Sequence, residues 1–180
     1  MIIVISINTT HEDPDSAHVI EIGAITDTAK TFHSLCNPGI NLSSYHERLK
    51  TLGISEEEIL SAPPVDEAAG EFFDFIEGHL LEYEVWLAGF NSGDHTAPIL
   101  WKDPFGIPMD RWKYDILEMA MDPMKEAGAL PSDPPEGSPA IPTLSDVERF
   151  FKVKRKGPPH GAISDARVTM EILKILLGVQ

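Results

Sequence analysis

The sequence predicts an α/β fold. Three short apolar, β-branched runs open the chain, separated by polar turns. Helical apolar spacing then alternates with one further strand-like run, and two amphipathic helices close the chain. Residues 2–7 (Ile-Ile-Val-Ile-Ser-Ile) form the first expected strand, and a polar turn containing Pro14 spans Thr9–Ser16. Residues 18–25 and Thr31–Cys36 are the second and third strands. Gly39–Leu52 is a loop or short helix. Ser55 with Glu58 three residues later has capping-box spacing, and Pro63-Pro64 ends the helix they start. Asp66–Leu81 carries Ala69, Phe72, Phe73, Phe75, Ile76 and Leu80 at helical spacing. Residues 85–90 form a strand ending at Asn91, and 96–102 and 110–121 are helical. The proline-rich stretch 123–142 is a long surface loop. Leu144–Phe151 and Ala162–Leu177 are the last helices. The apolar stripes are core, and so are Trp86, Trp101 and Trp112, in preference to base-stacking roles.

At 180 residues the chain is expected to be one domain, 1–180, with the 123–142 loop as an insertion and no internal repeat. A surface excursion is favoured for that loop over docking of a protein partner. Hydrophobic residues make up 42%, as in a water-soluble domain, and no apolar run is long enough to span a membrane. Met1 leads straight into a strand with no basic segment, so no signal peptide is expected. The single cysteine, Cys36, rules out an internal disulfide and fits a cytoplasmic location; it is read as a core or half-buried strand residue. The net charge of -15 excludes a protein that grips nucleic acid over a broad basic face. It leaves room for an enzyme that holds a strand end through metal ions and a small local patch. The one dense basic cluster, Lys152, Lys154, Arg155 and Lys156, precedes His160. It reads either as a phosphate-contacting loop or, more commonly for such runs, as a solvated connection.

The chemistry concentrates in His160-Gly-Ala-Ile-Ser-Asp165. An imidazole stands just before a helix and a carboxylate in its first turns, where the helix N-terminus favours negative charge. A carboxylate that holds a divalent ion and a neutral imidazole that takes a proton from water are what a metal-dependent nuclease needs. Alone, the pair reads equally well as a polar helix start.

The ordered set of motifs resembles the DEDDh 3′–5′ exonucleases, a family that includes polymerase proofreading subunits and ribonuclease T. The match runs through Thr9-Thr10 after the opening strand, Val19-Ile-Glu21-Ile-Gly23-Ala24-Ile25, Gly53-Ile54-Ser, 66–78 and Asn91. It continues through Tyr114-Asp115-Ile116-Leu117, Leu144-Ser-Asp-Val and His160-x-Ala162-x-x-Asp165-Ala166. The resemblance implies an RNase H-like fold, a mixed five-stranded sheet with helices on both faces. It also implies two Mg2+ or Mn2+ ions held by four carboxylates, and His160 as general base. The partner would be the 3′ end of a single-stranded DNA or RNA, with Thr9, Thr10 and Asn91 contacting it.

The first motif departs from the family's Asp-x-Glu: Ser6 and Asn8 stand at the two acidic positions. Alternation still sends both to one side of the strand. In the second motif either Asp94 is the ligand, in a turn one residue shorter, or His95 takes the aspartate's place. Asp94 and Asp165 would then supply two negative charges against four from two Mg2+, and Mg2+ prefers carboxylates to a hydroxyl or an amide. The expectation is an exonuclease domain with a weak or altered metal site; the alternative is an inactive exonuclease fold kept for binding. Glu21 could reach the cleft as a substitute ligand, whereas Glu12, Asp13 and Asp15 should point to solvent.

Overall fold

The computed structural model describes residues 1–80, 85–131 and 140–179. Its frame is one five-stranded sheet in the order β3-β2-β1-β4-β5. The strands are β1 (Ile2–Thr9), β2 (Val19–Thr26), β3 (Thr31–Leu35), β4 (Trp86–Gly89) and β5 (Trp112–Asp115). β1, β2 and β3 form an antiparallel meander, whereas β4 and β5 run parallel to β1. The sheet is therefore mixed, as expected. The helices are α1 (His46–Leu52), α2 (Glu56–Ser61), α3 (Val65–Leu80), α4 (Ala97–Leu100), α5 (Ile116–Glu126), α6 (Leu144–Phe151) and α7 (Ala162–Leu176). The Ser55–Glu58 capping box is formed, and a second one, Thr143 with Asp146, starts α6.

Alternation along β1 divides the core. Ile3, Ile5 and Ile7 face α3 and α4 and pack with Ala69, Phe72, Ile76 and Leu100. Ile2 and Val4 face the other side, packing with Ile116 and Ala120 of α5, Val147 of α6, and Val168 and Ile172 of α7. Each fully buried isoleucine contributes about 1.5–3 kcal/mol, so this division fixes the strand's facing. Ser6 and Asn8 continue the Ile2–Val4 row and thus lie on the α7 side. A satellite core beneath α1 and α2 gathers Ile20, Leu42, Leu49, Leu52 and Ile59. Cys36 is fully buried; burial, reinforced by the charge of Glu21, pushes its thiol up to about 12, so it stays protonated.

Three expectations need correction. Residues 110–121 are not one helix: Trp112–Asp115 is the edge strand β5, and the helix begins at Ile116. The proline-rich loop does not start at residue 123, because α5 runs through Pro123 to Glu126; its residues 132–139, like Leu81 at the expected end of α3, lie outside the described residues. Trp101 is 63% exposed rather than core, since α4 ends one residue before it. Among the described residues no helix is long and apolar enough to cross a membrane.

Candidate functional site

The site forms where the start of α7 meets β1 and β2. Gly23 makes the approach possible. A Cβ there would lie 2.2 Å from the Ile163 nitrogen and 2.3 Å from the Ala162 carbonyl carbon, so the first turn of α7 rests directly on the β2 backbone. Gly23 pairs with Ser6, and Glu21 pairs with Asn8. The helix start is thereby set beside both first-motif positions. His160, just before it, adopts φ +63° and is exposed, and Asp165 lies in the first turn.

A buried polar cluster ties these pieces together. The Asn8 amide nitrogen donates to Glu21 Oε2 at 2.6 Å and to the His160 carbonyl at 2.5 Å. Both partners accept only, so the amide must present its NH2 group to them. Glu21, 5% exposed, also accepts from the Ala162 backbone N–H at 3.1 Å, and its Oε1 contacts His33 Nε2 at 2.7 Å. A carboxylate this buried is expensive unless bonded, and here donors engage both oxygens at a helix N-terminus. Glu21 lies buried against the start of α7, and both of its oxygens contact protein groups.

Asp165 meets a cation supplied by the chain. The Arg155 guanidinium bonds Asp165 through Nη1, and it bonds Glu148 Oε2 through Nε at 3.0 Å and Nη2 at 2.8 Å. Burial pushes the Asp165 carboxyl up from its ordinary value, while Arg155 and then His160 pull it down. The basic cluster thus splits: Lys152, Lys154 and Lys156 are exposed, whereas Arg155 turns inward.

The second motif sits at the C-terminal end of β4. Asn91 takes a left-handed φ of +50°, and Ser92–Thr96 makes one wide helical turn, closed by Ala97 N–H to the Ser92 carbonyl. Asp115, at the end of β5, organises this turn. It accepts from the backbone N–H of Asn91 (3.1 Å) and Gly93 (2.9 Å), from the Ser92 hydroxyl (3.2 Å), and from Leu117 N–H (3.0 Å) as the α5 cap. Asp94 is exposed and lines a cleft with Asn91, Asp115 and Glu118. His95 is half-buried and feels the charge of Arg48, which donates to the Thr9 carbonyl at 3.2 Å. No hydrogen bond or ion pair among the described residues joins Asp94 or His95 to Asp165. Thr9 and Thr10 are buried and brace the 11–18 loop: the Thr9 hydroxyl donates to the His11 carbonyl at 2.6 Å, and the Thr10 hydroxyl accepts from His18 N–H at 3.1 Å. Glu12, Asp13 and Asp15 are exposed. Among the described residues no group of three or more His, Cys, Asp or Glu side chains is placed to hold a metal ion.

His33, Glu148, the inward role of Arg155 and the part Asp115 plays in organising the second-motif turn escaped sequence reading. Only Asp115 carried a local signal, an acidic cap directly before an apolar helical run.

No family model and no curated protein matches the sequence. Solved structures do. Cell-death related nuclease 4 (CRN-4) superposes with a TM-score of 0.73 at 16% identity, over 98% of this chain and 63% of that one. The nuclease domain of 3′hExo, a DEDDh family member bound to rAMP, gives 0.68 at 17% identity, over 98% and 91%. Exonuclease I of E. coli, in complex with a 5cy-dT13 oligonucleotide, gives 0.69 at 15% identity, over 99% and 41%. The chain thus spans under two thirds of the length of the first and third of these proteins. Such likeness across the full sheet and its flanking helices shows that the chain has the RNase H-like fold of the DEDDh 3′-exonucleases.

Proposed function

We propose that this chain is a nucleic-acid-processing domain of exonuclease type, acting on single-stranded 3′ ends, whose phosphodiester hydrolysis is weak or altered because its metal site is impaired. The observation that carries the reading is the placement of His160 and Asp165 around the start of α7, against the Asn8–Glu21 pair. An exposed imidazole there could take a proton from water, and Asp94 and Asn91 would border the strand, with buried Thr9 and Thr10 acting on it through the 11–18 loop they brace. The solved relatives bound to rAMP or to an oligonucleotide support this choice of ligand.

The donor set does not fit a two-ion centre. Ser6 offers a neutral hydroxyl, Asn8 aims N–H groups at acceptors, Glu21 is already bonded to Asn8, Ala162 and His33, and Asp165 holds a guanidinium. Mg2+ favours carboxylate and water oxygens, so these residues offer at most one weak position, with Mn2+ better tolerated if His95 took part.

The test is a 3′-end shortening assay on short single-stranded DNA and RNA with Mg2+ or Mn2+, run beside Asp165→Ala. Slow shortening by the native protein, abolished in the variant, is expected. Equal shortening by both would remove Asp165 from the chemistry, and no shortening with either ion would reassign the fold to binding.

A further inference from the structure

We propose that Arg155 is a resident cation that occupies Asp165 in place of a divalent metal ion. The inference rests on the reading of the cleft as an impaired metal site, and it names what fills the position. Glu148 comes from α6, Asp165 from α7, and Arg155 from the segment between them. The three side chains are 17%, 17% and 14% exposed. Two carboxylates held this close and this dry repel each other unless a cation lies between them. The planar guanidinium suits that position, because its fork gives Nε and Nη2 to Glu148 and Nη1 to Asp165. A lysine could not span both partners in this way.

The remaining cations of the segment point outward: Lys152, Lys154 and Lys156 are exposed, and none is ion-paired among the described residues. Arg155 is thus singled out by its two partners on different helices. Its positive charge and a divalent ion compete for Asp165, because like charges at contact distance disfavour each other strongly in a partly desolvated site. The same substitution explains how Ser6 and Asn8 are tolerated. With the arginine supplying the charge, the first-motif carboxylates are no longer needed, and Asn8 is free to donate to Glu21 and His160.

The experiment is a Mn2+ titration of the whole chain, without nucleic acid, read by calorimetry and by paramagnetic broadening of backbone amide signals. Native protein, Arg155→Gln and Glu148→Gln are compared, each checked for folding by circular dichroism. Arg155→Gln should bind Mn2+ about tenfold more tightly or better, the scale of outer-shell effects on metal affinity, with broadening centred on residues 160–166. Glu148→Gln, which removes the charge of the guanidinium's second partner while leaving Asp165 intact, should fall between. Equal Mn2+ affinity at that position in native protein and Arg155→Gln would overturn the proposal, as would a folded Arg155→Gln with no gain. Should Arg155→Gln not fold, Glu148→Gln decides by the same criterion. Because no strand is cut in this measurement, a gain in Mn2+ binding alongside an inert shortening assay would retain the resident cation and discard the nuclease reading.

Discussion

At Asn8 the identity of one side-chain atom decides whether the centre of the site is satisfied. Its nitrogen serves two acceptors, Glu21 and the His160 carbonyl. Asn8→Asp is nearly isosteric but replaces the donor with an oxygen and sets two carboxylates face to face. The expected cost at neutral pH is about 2–4 kcal/mol, from lost donation and a buried unpaired charge. The deficit should shrink as pH falls, because a proton shared by the pair restores one donor and is bound more tightly folded than unfolded. Urea unfolding at two pH values checks this, and a deficit below about 0.5 kcal/mol would contradict the assigned orientation. The same residue shows what could be read from sequence. Period-two alternation put Ser6 and Asn8 on one side of β1. The partner of Asn8 depends instead on the β1–β2 register, which pairs it with Glu21 across the whole 10–18 connection. Arg155 was harder still: a run of basic residues has no internal sign that one member turns inward, since its partners Glu148 and Asp165 lie on separate helices.

Among the elements, α7 determines the site because its first turn touches the sheet backbone. Gly23→Ala tests that seating. The added methyl would have to share space with the backbone at Ala162 and Ile163, so either the helix lifts or the strand bends. A loss of about 3 kcal/mol is expected, at the upper end of ordinary overpacking, together with shifts in the amide signals of residues 160–165. Unchanged stability would mean that α7 does not sit where the structure puts it. The strongly periodic elements, α3, α6, α7, β1 and β2, were legible for the physical reason that each sends an apolar row into the core, whereas β3 has no buried residue and only Phe32 packs against that core. β5 was not, because four residues, Trp112–Asp115, are too few for a two-residue period to stand out against an amphipathic helix. Pro123 misled in the other direction. A proline interrupts one intrahelical bond, yet α5 continues past it, with Ala127 N–H donating to the Pro123 carbonyl at 3.1 Å.

For the molecule as a whole, a net charge of -15 makes self-repulsion a standing cost. Between pH 7.5 and 5.5 carboxylates of ordinary pKa stay ionised, so histidines dominate the change in stability over that interval. His95 gives it a definite sign. Burial first, then the charge of Arg48, lowers its pKa from the ordinary 6.5, and Glu12 only partly opposes them. The unfolded chain takes up a proton on His95 as pH falls through about 6.5, while the folded chain does so only at lower pH. Its contribution to stability is therefore complete above the unfolded value and is lost as pH falls from there through the depressed folded value. His95→Gln removes this loss. Denaturation midpoints at pH 7.5 and 5.5 should show native protein falling further than the variant over the interval. If both fall equally, the imidazole is not held half-buried under the charge of Arg48, and the placement of His95 in the wide turn fails with it.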